Sequence, residues 1–263
     1  MKVYIMADIE GISGIYCKEQ VLETGTRWSE GRRYMTDEIN ACADGLKAAG
    51  VEKVYVRDCH GRSSALEWDR ISESVDCCIC GNVGDVRCEG LEECDAVILL
   101  GYHAMAGTQS AILEHTFSSA KIQNMYLNDL KVGEIAVDAA IAGEHNKPVI
   151  MLSGDDKACE EAHSILPDIV TARVKKGLSC EGGILLPPQK AHSLIYNKAM
   201  EAVKRIDAVK PFSVSSPVTL KMEMVERVNL PLISEKPYMK IIDGRTYCIS
   251  ADSVEQALLR VLN

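Results

Sequence analysis

With 263 residues, 47% apolar and 25% charged, the chain is long enough to bury a substantial core as one large domain or a main domain with an appendage. Its 29 basic and 38 acidic residues give a formal charge of −9, which excludes a nucleic-acid backbone as the natural partner. No apolar run approaches the roughly 20 residues of a bilayer span, and Lys2 leads straight into an apolar run rather than a signal peptide, so a cytoplasmic protein is expected.

The first apolar run, 2–8, ends in Asp8-Ile9-Glu10 and breaks into Gly11-Ile12-Ser13-Gly14. Residues two apart in an extended chain share a face, so Asp8 and Glu10 present two carboxylates at the end of a buried strand. Such a pair repels unless a cation sits between them or one takes up a proton. Residues 29–48 place Tyr34, Ile39, Cys42 and Leu46 at helical spacing and stop at Gly50. A second run, 52–58, leads into Cys59-His60-Gly61, a third covers 75–80, and a fourth, 95–101, leads into Tyr102-His103.

Residues 122–127 read as a strand, Asn128-Asp129 as a turn and 131–133 as its return, adding an antiparallel hairpin to the sheet. An Ala-rich helix over 134–145 opens on Glu134 directly after Gly133, a strand covers 148–153, and a helix over 155–165 opens on Asp155-Asp156. After about residue 186 the pattern changes. A helix from Pro187-Pro188 to about 207, an alternating strand at Val218, Leu220, Met222 and Met224, a hairpin near Asp243-Gly244 and a helix over 252–261 follow. Together these predict a three-layer α/β/α fold with a mixed, largely parallel sheet and a smaller C-terminal α+β subdomain, divided as 1–186 and 187–263.

In a parallel sheet the carboxyl ends of the strands line one edge, so Asp8, Glu10, His60 and His103 can converge there, with Glu134 aimed back from its helix start. Neutral imidazole and carboxylate are the ligands of an open catalytic zinc site. Taken one at a time, each is equally readable as a turn former or a loop residue, and the inference rests on the set. His115 falls near the same edge, whereas His145, His163 and His192 lie on helices or their ends. The eleven cysteines are expected as reduced thiols, because Cys77, Cys78, Cys80, Cys88 and Cys94 lack the paired C-x-x-C spacing of a structural zinc site.

The opening Asp8-Ile9-Glu10-Gly11-Ile12-Ser13-Gly14, Asp58-Cys59-His60, Leu100-Gly101-Tyr102-His103-Ala104, His115, the segment from Asn128-Asp129 to Glu134, and Ser153-Gly154-Asp155-Asp156 occur in order along nearly the whole chain. This series resembles the D-aminopeptidase family of zinc metallopeptidases. The resemblance implies two Zn2+ ions per subunit, with Asp8 bridging them, Glu10 and His60 on one side, His103 and Glu134 on the other, and His115 as the catalytic residue. It also implies short peptide substrates with an N-terminal D-residue, a water activated by two metals, and a homodecamer of two stacked pentameric rings. The residues alone leave open an L-specific or broad aminopeptidase, another binuclear amidohydrolase or phosphoesterase, and a peptide- or metal-binding module without turnover. Gly11-Ile12-Ser13-Gly14 lacks the lysine of a P-loop and the full dinucleotide fingerprint, which favours a turn that lifts Asp8 and Glu10 over a phosphate cradle.

Overall fold

A computed structural model describes residues 1–232 and 236–262. In chain order the elements are β1 (Lys2–Ala7), α1 (Trp28–Ala48), β2 (Lys53–Asp58), β3 (Cys77–Ile79), β4 (Ala96–Tyr102), β5 (Ile122–Leu127), β6 (Leu130–Val132), α2 (Glu134–Glu144), β7 (Val149–Gly154) and α3 (Asp156–Ile165). They continue with β8 (Val170–Arg173), β9 (Lys175–Ser179), β10 (Gly182–Leu185), α4 (Pro188–Lys204), β11 (Val218–Met224), β12 (Met239–Ile241), β13 (Thr246–Ala251) and α5 (Val254–Leu262).

Six strands form one sheet in the order β3-β2-β1-β4-β7-β8, and every pairing in it is parallel. Strand β1 is central and buried almost throughout, which is why its sequence is a continuous apolar run rather than an alternating one. Alternation still decides which face each side chain serves. Val3, Ile5 and Ala7 pack into an apolar cluster with Met35, Ile39 and Leu46 of α1 and Ala191, Ile195 and Ala199 of α4. Tyr4 and Met6 enter the other cluster, with the apolar residues of α2 and Ala158 of α3. Helices therefore cover both faces, as the sequence predicts for an α/β protein.

The predicted hairpin forms as β5 and β6, but it does not extend the parallel sheet. It belongs to a separate five-stranded antiparallel sheet, β12-β13-β11-β5-β6, in which β5 pairs with β11 from the C-terminal quarter. The mixture of parallel and antiparallel strands is thus divided between sheets, because the hairpin's apolar face has α2 and the C-terminal strands to cover it. The Val218–Met224 alternation is seen as strict burial of every second residue. Chain on the two sides of residue 187 shares its packing, since α4 rests on α1 and β11 on β5. Strand β8 and the β9–β10 hairpin are not visible in the sequence pattern. β8 completes one edge of the parallel sheet.

Helix α2 is apolar on nearly every side, and its residues from Glu134 to Ala142 are all buried. Its side chains share one cluster with Leu99 of β4 and with Met125, Leu220 and Ile249 of the antiparallel sheet. Only its N-terminus, carrying Glu134, reaches the edge where the strands end.

Candidate metal centre

The site residues reach the carboxyl edge of the parallel sheet by different local routes. Asp8 follows β1 directly, and its backbone N–H donates to Leu100 O of β4 at 2.8 Å, so the strand end stays zipped. The chain then folds across β4, where Gly11 N–H donates to Gly101 O at 2.7 Å. A Cβ at Gly11 would fall on the Tyr102 carbonyl, and one at Gly101, where φ is +72°, on the carbonyl of Asp8. Glycine is required at both places for this close approach.

The loop after Glu10 is held from beneath by Lys175, the first residue of β9. Its Nζ donates to the carbonyls of Glu10, Ile12 and Ile15 at 2.5, 2.8 and 2.7 Å, and the side chain is 3% exposed. Burial pushes its pKa down to about 8, against the opposing pull of Asp155, Glu38 and Glu10. Glu38 of α1 accepts from Ser13 N–H at 2.9 Å on the same loop.

His60 stands just past β2, where Asp58 accepts its backbone N–H at 3.1 Å and that of Ala65 at 2.6 Å. His103 stands just past β4. Glu134 is the first residue of α2, and its Oε1 accepts from Phe117 N–H at 2.7 Å. His115 arrives on a loop without regular structure, pinned by Asp155, which accepts from Ile112 N–H at 2.9 Å while also capping α3. Leu113 and Phe117 flank it with φ of +52° and +56°, a left-handed conformation that costs a bulky residue about 1–2 kcal/mol. The rings of His115 and His103 stack with centroids 4.0 Å apart.

Each of the three imidazoles is oriented in the same way. His60 Nε2–H donates to Val21 O at 2.7 Å, His103 Nδ1–H to Ala104 O at 3.0 Å, and His115 Nδ1–H to Leu113 O at 2.9 Å. A carbonyl can only accept, so each ring spends its proton on the backbone and turns its other nitrogen towards the carboxylates. His60 Nδ1 lies 3.2 Å from both Asp8 Oδ1 and Glu10 Oε2. His103 Nε2 lies 3.4 Å from Asp8 Oδ2 and 3.3 Å from Glu134 Oε1, and His115 Nε2 lies 3.7 Å from the same Glu134 oxygen.

Two sets of potential ligand atoms lie within 4.8 Å of one another, Asp8 with Glu10 and His103, and His103 with His115 and Glu134. Glu10 Oε2 and His103 Nε2 are buried without a hydrogen bond, a costly arrangement for a site meant to hold nothing. Three carboxylates facing three oriented imidazoles form a donor set that fits zinc. Without a cation, protons take its place. Burial opposes charge on His60 and His103, but the carboxylates outweigh it, raising His60 well above its usual value and His103 to about 10. The same pairing holds Glu10 and Glu134 below the usual carboxylate range in spite of their burial. A metal entering here displaces those protons.

The centre opens into a cleft of about 820 Å³, lined among others by Glu23, Arg62, Arg87, Leu113, Phe117 and Cys180. Sequence reasoning anticipated all six residues that gather at the centre. It missed their supports. Lys175 reads as part of a basic stretch and Asp155 as a helix cap, and only the cap signal was there to find. Cys77, Cys78 and Cys80 lie on or beside the edge strand β3, away from the cleft lining.

Three comparisons bear on this geometry. The model of the D-aminopeptidase family, peptidase M55, matches residues 1–263. A D-aminopeptidase of Bacillus subtilis (strain 168) is 32% identical over 249 residues, which cover 94% of this chain and 89% of that protein. A solved structure described as the Zn-dependent D-aminopeptidase DppA from Bacillus subtilis, a self-compartmentalizing protease, superposes with a TM-score of 0.91 at 30% identity, covering 100% of this chain and 95% of that one.

Proposed function

The chain belongs to the D-aminopeptidase family, and from that premise we propose that it is a zinc-dependent aminopeptidase that removes an N-terminal D-residue from short peptides. The observation that carries this reading is the common orientation of His60, His103 and His115, each proton given to a backbone carbonyl and each free nitrogen turned to Asp8, Glu10 or Glu134. Within it, Asp8, Glu10, His60, His103 and Glu134 are the residues that would hold two zinc ions per chain, with Glu10 and His60 on one side of Asp8 and His103 and Glu134 on the other. Residues 1–186 carry every ligand, and residues 187–263 supply packing behind them.

Zinc bound there supplies Lewis acidity, which polarises a scissile carbonyl and makes water a nucleophile near neutral pH. The chain's own groups do the rest. His115 Nδ1–H is committed to Leu113 O, which leaves Nε2 to take up a proton as the peptide bond is attacked and pass it to the leaving amine. The stacked His103 ring and the Leu113 carbonyl fix its orientation.

No helix among the described residues is long and apolar enough to cross a membrane, in keeping with a cytoplasmic location. The Bacillus subtilis structure is described as self-compartmentalizing. A self-compartmentalizing assembly, in the form of a decamer, is proposed for this chain and is checked by light scattering.

The deciding experiment combines metal analysis with a chirally resolved dipeptide screen. Two zinc ions per chain and release of D-alanine, suppressed by a chelator and restored by zinc, are expected. A preparation that binds zinc but releases no amino acid from any dipeptide would overturn the enzyme reading, and preferential release of L-residues would overturn the stereochemistry.

A further inference from the structure

Three basic side chains line the cleft, Lys18, Arg62 and Arg87, and the first two are exposed to solvent. Arg87 is different, with only 13% of its side chain accessible. Its Nε and Nη2 donate side-on to the two oxygens of Asp138 at 3.1 and 3.0 Å, and its guanidinium lies over the ring of Phe117. Asp138 is fully buried and also accepts from Tyr102 Oη at 2.7 Å. The guanidinium is thereby fixed in one orientation by Asp138 and Phe117, and Tyr102 in turn holds Asp138.

A guanidinium has five N–H donors, and Asp138 uses one on Nε and one on Nη2. Nη1 has no partner among the described residues, so its two N–H groups and the second one on Nη2 form an unused fork on a residue that lines the cleft. Planar forks of this kind bind carboxylates in two-point fashion. The helix sets how far the anchor of this fork lies from the centre. Asp138 lies four residues after Glu134 on α2, about 6 Å along the helix. In an extended peptide, a carboxylate one or two residues beyond a carbonyl carbon lies roughly 3.5–7 Å from it.

We propose that Arg87 receives the C-terminal carboxylate of the substrate, so that the site selects peptides of two or three residues with a free C-terminus. This rests on the aminopeptidase reading, because Glu134 marks the reacting end. Asp138 and Phe117 act as the frame that holds the guanidinium ready, and the exposed Lys18 and Arg62 contribute only to the general field of the cleft mouth.

The test compares D-alanyl-glycine with its C-terminal amide on the zinc-loaded enzyme. Charge-assisted hydrogen bonds of this kind predict a preference for the free acid of about 10- to 100-fold in kcat/KM, carried by KM. In the paired variant Arg87→Met/Asp138→Asn, which leaves no buried charge unpartnered and keeps an acceptor for Tyr102, that ratio falls towards one. A purely structural Arg87 would slow both substrates alike and leave the ratio intact. Equal hydrolysis of acid and amide by the parent enzyme, or an unchanged ratio in the variant, overturns the proposal.

Calorimetry with the reduced-bond analogues of the same acid and amide reads the subsite without turnover. Tighter binding of the acid, lost in the variant, supports the carboxylate subsite even if no peptide is hydrolysed. Hydrolysis without discrimination rejects the subsite and leaves the aminopeptidase reading standing.

Discussion

Asp8, Glu10, His60 and His103 stand at the ends of strands in a parallel sheet, on segments tied by backbone hydrogen bonds and, after Glu10, by a buried ammonium. Glu134 and His115 stand instead at a helix start and on a loop that passes through two left-handed residues. The first half is built from backbone pairing, which many residues reinforce, whereas the second depends on a few side-chain contacts such as Asp155 to Ile112 and Glu134 to Phe117. Rigid placement suits the groups proposed to hold a cation, and a loop suits the group proposed to pass a proton during turnover.

Asp8 joins the two sides of the centre, since one oxygen faces His60 and the other His103. Asp8→Ala is therefore expected to have the largest effect, loss of both zinc ions and of detectable activity, as read by metal analysis and steady-state kinetics. Full activity in this variant would break the bridging assignment. Lys175→Met separates the two sides. It strips three buried carbonyls of their donor, which costs about 3–5 kcal/mol of stability, and it should weaken the zinc held by Glu10 and His60 while the other remains. Denaturant melts and zinc stoichiometry report the two effects separately.

His115→Ala addresses the second half alone. Both zinc ions should stay, with kcat falling about 100- to 1000-fold, the scale seen when one positioned donor is removed. An unchanged kcat would remove His115 from the reaction. The smallest expected effect concerns pH. Burial pushes Glu38 up to about 7, so the folded chain keeps a proton that the unfolded chain releases near 4.5. The stability this contributes is complete below about 4.5 and lost as pH rises through about 7. Glu38→Gln should flatten that part of the stability curve, by about 3 kcal/mol at most.

The strand-end site residues were legible because a buried parallel strand leaves a long apolar run, and the residue that ends it is placed by the fold. Glu134 was legible from the glycine before a helical stretch. Lys175 was not. In Arg173-Val174-Lys175-Lys176 it looks like any solvated basic segment, and only the fold reveals that alternation sends Lys175 inward and Lys176 outward. Arg87 lies in a segment with no period of either kind, so nothing local distinguishes it from Arg62. The hairpin of β5 and β6 was recognised, but its partner, β11, lies about 90 residues further on, and a local pattern carries no information about so distant a neighbour.

Helix α2, wedged into apolar surroundings along its length, has a consequence for how the protein can work. It cannot pivot or slide without tearing open the interior on which both sheets depend, so no hinge passes through it. Glu134 at its tip and the Asp138–Arg87 pair one turn deeper behave as two marks on a single ruler. On the proposed reading, peptides would be measured against a fixed scale, and the flexibility that admits them would come from the rim.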